Sequence, residues 1–161
     1  MTLRRMTAAD IRPLVALFSV PEVATWWPGE NEPRLEARLE DADEGVGLVI
    51  EVDGALVGFV QYFEEDDPEY RHASIDIVLH PEWCNRGLGT DALRTLARHL
   101  FDDLGHHRLT IDPTVSNARA IASYRKVGFR DVGVMRRYER ANDGTWRDSL
   151  LMDLLAEDLL G

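Results

Sequence analysis

Asn85-Arg86-Gly87-Leu88-Gly89-Thr90, lying between an apolar strand and an amphipathic helix, is the stretch that decides how this chain folds. Downstream come a second short strand at Arg108 to Ile111 and the run Ser116-Asn117-Ala118-Arg119-Ala120-Ile121-Ala122-Ser123-Tyr124-Arg125-Lys126-Val127-Gly128-Phe129. Gly87 and Gly89 stand at the mouth of the helix, where side chains would keep an anion away from the unpaired N–H groups of the first turn. Such a helix start is a ready phosphate site. The same glycines fit a loose dinucleotide fingerprint, Gly87-Leu88-Gly89-Thr90-Asp91-Ala92, with Asp112 as its distant acidic residue. Context speaks against that reading. A dinucleotide fold wants its first glycine directly on the end of an early strand, whereas Pro81 to Arg86 intervene here and the motif falls mid-chain.

Working outward, 161 residues with 45% hydrophobic content are enough for one domain, 1–161, around one core. Cys84 is alone, which excludes an intrachain disulfide, and no Cys/His spacing suits zinc, so no metal is expected. The start Met1-Thr2-Leu3-Arg4-Arg5-Met6-Thr7 lacks the apolar stretch of a signal peptide and no segment has the length of a membrane span, so a cytoplasmic location is the expectation. Eighteen basic against 29 acidic residues give a net charge of −11, which argues against nucleic acid and suits a cationic partner.

The remaining elements follow from periodicity. Leu3 to Met6 reads as a strand, and Asp10 as the cap of a helix over Ile11 to Phe18. Val23-Ala24-Thr25-Trp26-Trp27-Pro28-Gly29 breaks that helix, and a short one follows over Pro33 to Glu40. Gly47 to Val52 and Leu56 to Tyr62 form a hairpin about Asp53-Gly54. Ser74 to Leu79 is the strand before the glycine loop. Apolar residues at 93, 96, 97, 100, 101 and 104 predict a helix over Thr90 to Leu104. A helix over Asn117 to Val127, capped by Ser116, stops at Gly128. Phe129 to Tyr138 and Trp146 to Leu154 then pair across Asp143-Gly144. The fold class is α/β: a mixed sheet with helices packed on it.

The glycine loop, Asn117 and Tyr124, in this order and spacing, resemble the acetyl-CoA half of a GCN5-related N-acetyltransferase. That resemblance implies a splayed central mixed sheet flanked by helices, with acetyl-CoA as co-substrate. Ile77, Val78 and Leu79 would meet the pantetheine arm through their backbones, while Asn85, Arg86, Gly87, Leu88, Gly89 and Thr90 would wrap the diphosphate. The family's loop usually opens on Gln or Arg, and this chain has Cys84 there; Arg86 is the substitute cation. Asn117 and Tyr124 lie seven residues apart on one helix face, and both would line the arm. Tyr124 resembles the family's general acid, a phenol beside the departing thiolate. Asp76 interrupts an apolar strand and Asp112 ends another before Pro113, so either could anchor the amine or accept its proton.

More specific echoes, Trp26-Trp27, Gly58-Phe59-Val60-Gln61-Tyr62, Ser74-Ile75-Asp76 and Thr110 to Asn117, look like the aminoglycoside 6′-N-acetyltransferases. A hydroxylated polycation needs carboxylates and aromatic faces. Asp76, Asp112 and Asp148 would supply the first, Trp26, Trp27, Tyr62 and Trp146 the second. Glu64-Glu65-Asp66-Asp67 is either a further acidic contact or a solvated loop. Transfer would be direct, since Cys84 has no histidine in its motif to activate it. An N–H near Val78 would stabilise the oxyanion. Protein N-termini and a lysine-like amine of a siderophore precursor are the alternative acceptors. A non-catalytic acetyl-CoA sensor is the alternative from another class, against which Tyr124 speaks. Monomer and homodimer both remain open.

Overall fold

The computed structural model describes residues 1–41 and 45–161. It begins with strand β1 (Thr2–Arg5), whose Arg4 guanidinium organises the turn that follows. Arg4 grips both oxygens of Asp10 at 2.7 and 2.8 Å and Glu51 at 2.9 Å. Asp10 also accepts the Thr7 N–H and hydroxyl. The carboxylate is thus consumed within the turn, and it does not cap α1 (Ile11–Phe18) with its side chain as the sequence suggested. Hydrogen bonding to Arg4 holds its carboxyl down at about 2.

A short helix, α2 (Pro21–Ala24), occupies the start of the segment expected to be irregular, with Pro21 at the first helical position. Then α3 (Glu32–Glu40) is capped by Asn31, whose side chain accepts the Arg34 N–H at 3.1 Å. The hairpin β2 (Val46–Val52) and β3 (Ala55–Glu65) turns through Asp53 (φ 50°) and Gly54 (φ 81°), the left-handed pair that a tight hairpin of type I′ requires. β4 (His72–Leu79) leads through a 3₁₀ turn, Pro81–Trp83, to α4 (Leu88–Arg98), which starts two residues earlier than its apolar periodicity indicated. Its last turn widens into a π turn over His99–Asp103. β5 (Arg108–Ile111) precedes α5 (Ala118–Val127), and the hairpin β6 (Arg130–Arg140) and β7 (Trp146–Leu155) completes the sheet.

Among the described residues the strands form one seven-stranded mixed sheet in the order β1-β2-β3-β4-β5-β7-β6. Neighbours are antiparallel except β4 and β5, which run parallel and pair only at Ala73 with Leu109 and Ser74 with Thr110. Beyond Ser74 the two strands part. On one face of the sheet Ile75, Val60, Leu109 and Met152 pack under Leu93 and Leu96 of α4 and Val127 of α5. On the other, Val49, Phe59 and Val78 pack under Leu14 and Leu17 of α1 and Leu35 of α3. A wedge between β4 and β5 therefore opens through the sheet toward both helical layers.

Candidate active site

The wedge is continuous with a cleft of about 910 Å³. Its floor on the α4–α5 side is backbone. In an antiparallel ladder successive residues alternate between pointing their N–H and C=O at the partner strand and away from it. The His80 N–H binds Val57 O at 2.8 Å, so the same phase turns the backbone groups of Val78 toward its partner Phe59 on β3. The backbone groups of Ile77 and Leu79 face the opening. Of the three residues expected to meet a pantetheine arm, two are free to do so, and Val78 is committed to the sheet.

Past β4, Asn85 (φ 61°) and Gly87 (φ 81°) both take left-handed conformations, so the chain coils back before Leu88 opens α4. The first-turn N–H groups of Leu88, Gly89 and Thr90 lack intrahelical acceptors by the geometry of any helix start. A Cβ at Gly89 would stand 3.3 Å from the end of the Leu79 side chain, a contact that a small shift of that side chain relieves. Asn85, Gly87, Gly89 and Thr90 line the cleft. Arg86 does not: its guanidinium lies 4.8 Å over the Trp83 ring, which draws it away from the loop's concave side. The Thr90 hydroxyl meets that of Ser123 at 3.2 Å and ties α4 to α5.

Asn117, and not Ser116, caps α5, its side-chain oxygen accepting the Ala120 N–H at 3.3 Å. It lines the cleft while doing so. Two turns on, Tyr124 is 8% exposed beside Phe129 and reaches the same cleft. Burial pushes its phenol well above the usual range, and the charges of Asp76 and Asp112 push it further. At neutral pH Tyr124 is therefore a hydrogen-bond donor.

Asp76 on β4 and Asp112, just past the end of β5, fall on the opposite side: alternation from Ile75 and Ile111, which pack toward α4 and α5, sends both side chains to the α1–α3 face. Asp76 accepts the Gln61 amide at 2.9 Å from the neighbouring strand. Burial raises its carboxyl above the ordinary range, Gln61 and Arg38 opposing the shift. Burial, then the Asp76 charge, push Asp112 up to about 6. Behind them the Glu30 carboxylate is paired to Arg38 at 2.7 and 2.8 Å, both side chains nearly enclosed. Glu139, from β6, accepts the Thr114 hydroxyl at 2.8 Å and Arg147 at 2.9 Å.

The aromatic wall is divided between roles. Trp27 stacks on Phe18 at 5.1 Å and is edge-on to Phe59, yet lines the cleft; it is both core plug and wall. Trp26 lines the cleft under the Arg147 guanidinium at 5.8 Å. Arg147 also donates to Thr25 O at 2.7 Å, and Asn142 to Ala24 O at 3.1 Å, so the tip of the last hairpin clasps the segment after α2.

Three expected acceptor contacts stand elsewhere. Tyr62 is buried in the α4–α5 core, because Gln61 takes the cleft-facing phase of β3 and its neighbours must face the other way. Trp146 is 57% exposed at the hairpin end and does not line the cleft. Asp148 accepts the Arg137 N–H at 2.7 Å on the far side of β7. In the acidic loop, Glu64 pairs with His106 at 2.7 Å and Asp67 closes its own turn, so neither faces the cleft. Sequence reasoning passed over Gln61, Glu30, Tyr138 and Glu139. A lone glutamine in Gly58-Phe59-Val60-Gln61-Tyr62 was a readable signal; Glu30 and Glu139, each in a charged stretch, carried none.

Among the described residues no three His, Cys, Asp or Glu side chains are grouped to hold a metal ion, and no helix is long and apolar enough to cross a membrane. An open strand edge and a helix start on one side of a sheet, with clustered carboxylates on the other, suit an extended phosphorylated ligand facing a cationic partner. The acetyltransferase (GNAT) domain model matches residues 1–130, and the chain belongs to that family. It is an acetyl-CoA-dependent N-acetyltransferase.

It is 31% identical over 154 residues to the aminoglycoside N(6′)-acetyltransferase type 1 of Klebsiella pneumoniae, covering 83% of this chain and 76% of the relative. To the spermidine N(1)-acetyltransferase of Escherichia coli K12 it is 30% identical over 165 residues, covering 98% and 87%. Among solved structures, the spermidine N-acetyltransferase of Vibrio cholerae in complex with CoA and spermine superposes with a TM-score of 0.84 at 22% identity, over 98% of this chain and 96% of that one. The aminoglycoside acetyltransferase AAC(6′)-Ib in complex with coenzyme A and kanamycin gives 0.78 at 24%, over 98% and 95%. Both likenesses are to the same splayed sheet with flanking helices.

Proposed function

We propose that the acceptor is a polycationic amine and that the 6′-amine of an aminoglycoside is the group acetylated. The observation that carries this reading is the composition of the acceptor side: Asp76, Asp112, Glu139 and Glu22 around a cavity walled by Trp26 and Trp27. Carboxylates suit several ammonium groups, and indole faces suit sugar rings. Bound acetyl-CoA supplies a thioester carbonyl carbon to the amine. The first-turn N–H groups of α4 hold its diphosphate, and the backbone of Ile77 and Leu79 holds its arm. An N–H of that strand edge, near Val78, polarises the carbonyl.

Asp76, steadied by Gln61, anchors the incoming ammonium. Asp112, whose carboxyl burial pushes up to about 6, accepts its proton near neutral pH, directly or through water. Nitrogen then bonds to the carbonyl carbon while the carbon–sulfur bond breaks, and the Tyr124 hydroxyl donates to the leaving sulfur.

A second reading, a linear polyamine such as spermidine, is favoured by the 30% identity that spans 98% of the chain. A panel of amines with acetyl-CoA, read by release of CoA thiol and by mass spectrometry, separates the two. Aminoglycosides with a 6′-amine are expected to turn over and gain one acetyl there, and those with a 6′-hydroxyl to bind without turnover. Turnover of spermidine with inert aminoglycosides would hand the function to the second reading; acetylated peptide N-termini alone would remove both.

A further inference from the structure

Tyr138 sits on the edge strand of the sheet, 52% exposed, where regular alternation would leave it a surface aromatic. Yet it lines the same cleft as Asp112, and its hydroxyl works against the upward push on that carboxyl, as a donor would. The strand is deformed to bring this about. Pairing between β6 and β7 jumps from Met135–Ser149 to Glu139–Arg147, and inside the jump Arg137 adopts φ 50°, a left-handed conformation that a non-glycine residue seldom takes. Such a conformation persists only where surrounding bonds over-determine it. Those bonds are present: Asp148 accepts the Arg137 N–H at 2.7 Å, and on the other side of the bulge Glu139 is fixed by Thr114 and Arg147.

We infer that Tyr138 is a positioning residue for Asp112, and that the bulge pinned by Asp148 exists to deliver its hydroxyl to that carboxylate. Asp148, which the sequence suggested as a contact to the acceptor, acts two steps away, through Arg137 and Tyr138. The hydroxyl orients Asp112 and favours its ionised form, against burial and against the charges that face it: Asp76 from β4 and Glu139 from β6. Other ionisable groups at this junction are the Tyr124 phenol on α5, with Arg119 beside it, and the Glu30–Arg38 pair near Asp76. At Asp112 itself it is Tyr138 that counters those charges.

This inference rests on the reading of Asp112 as proton acceptor, and the test separates the two. Tyr138→Phe removes only the donor. The acidic limb of kcat/KM for the amine should move to higher pH by about half to one unit, because loss of a hydrogen bond to the charged form raises the carboxyl. Acetyl-CoA affinity should stay within twofold. Asp148→Ala should produce the same displacement, and the double variant no more than either single change, since both act through one hydroxyl. Asp112→Asn should abolish the limb. If it does while Tyr138→Phe leaves the limb in place, Tyr138 is a surface aromatic and the inference fails alone. An acidic limb that survives Asp112→Asn overturns the inference together with the assigned role of Asp112.

Discussion

The two sides of the cleft are made from different material. On the α4–α5 side the groups that would hold acetyl-CoA are mostly backbone N–H and C=O, from the open edge of β4 and the first turn of α4 with its glycines, and the Tyr124 hydroxyl of α5 is the side-chain exception. They lie within one stretch of sequence. On the acceptor side they are side chains, brought from α2 and the segment after it, β3, β4, the end of β5 and the bulge in β6, several of them held by a partner such as Gln61, Arg38 or Arg147. A site made of backbone tolerates side-chain change provided the turn survives, whereas a site made of side chains can be rebuilt by a few substitutions. This is the physical reason the acetyl-CoA side can be constant across acceptors as different as a polyamine and an amino sugar.

The comparison is broken most directly at Gly89. Gly89→Asp puts a carboxylate at the proposed diphosphate site, and juxtaposed like charges cost several kcal/mol. CoA affinity, measured by calorimetry, should fall by about 10²-fold or more, while the melting temperature of the unliganded protein stays near wild type. Undiminished affinity would mean that the loop does not hold phosphate. Next in size is Tyr124→Phe: kcat should drop by roughly 10²-fold with little change in acetyl-CoA binding, since only the donor to the leaving sulfur is lost. A wild-type kcat would make Tyr124 a packing residue.

Trp26→Ala probes the other side. Its acceptor KM should rise roughly three- to tenfold, the scale of one aromatic contact, and its acetyl-CoA KM should not move. Changes of equal size in both constants would show that the two sides are not separable. Smallest of all is Trp146→Ala, which by its distance from the cleft should alter neither KM by more than about twofold; steady-state kinetics on one acceptor suffices to check it.

The same division governs what could be read from the chain. The Asp53-Gly54 hairpin, α1, the strand before the loop and the helix pair α4 and α5 were legible because each is written in a local pattern of period, cap or turn. The acceptor side was legible only where a carboxylate breaks an apolar strand, as Asp76 and Asp112 do. Tyr62 was misread because Val57 to Tyr62 is buried on both faces of the sheet, so no polar alternation reveals which residues face which way. The pairing of Gln61 with Asp76 supplies the missing phase, and only the fold brings it into view. Trp146 and Asp148 have the chemistry of acceptor contacts but stand on the far end of a hairpin whose bulge turns Tyr138 and Glu139 inward in their place.

The short parallel seam between β4 and β5 has one more consequence. Strands β1 to β4 form one antiparallel block and β5 to β7 another, and among the described residues two residue pairs are the only ladder between them. Amide protons along β5 should accordingly report a different opening free energy from those of β3, because little cooperative hydrogen bonding links the blocks. A ligand lodged in the wedge touches both, and so acts as the stitching that the sheet itself lacks. Its binding energy becomes cooperativity: amide exchange in the two blocks should converge as acetyl-CoA is titrated in.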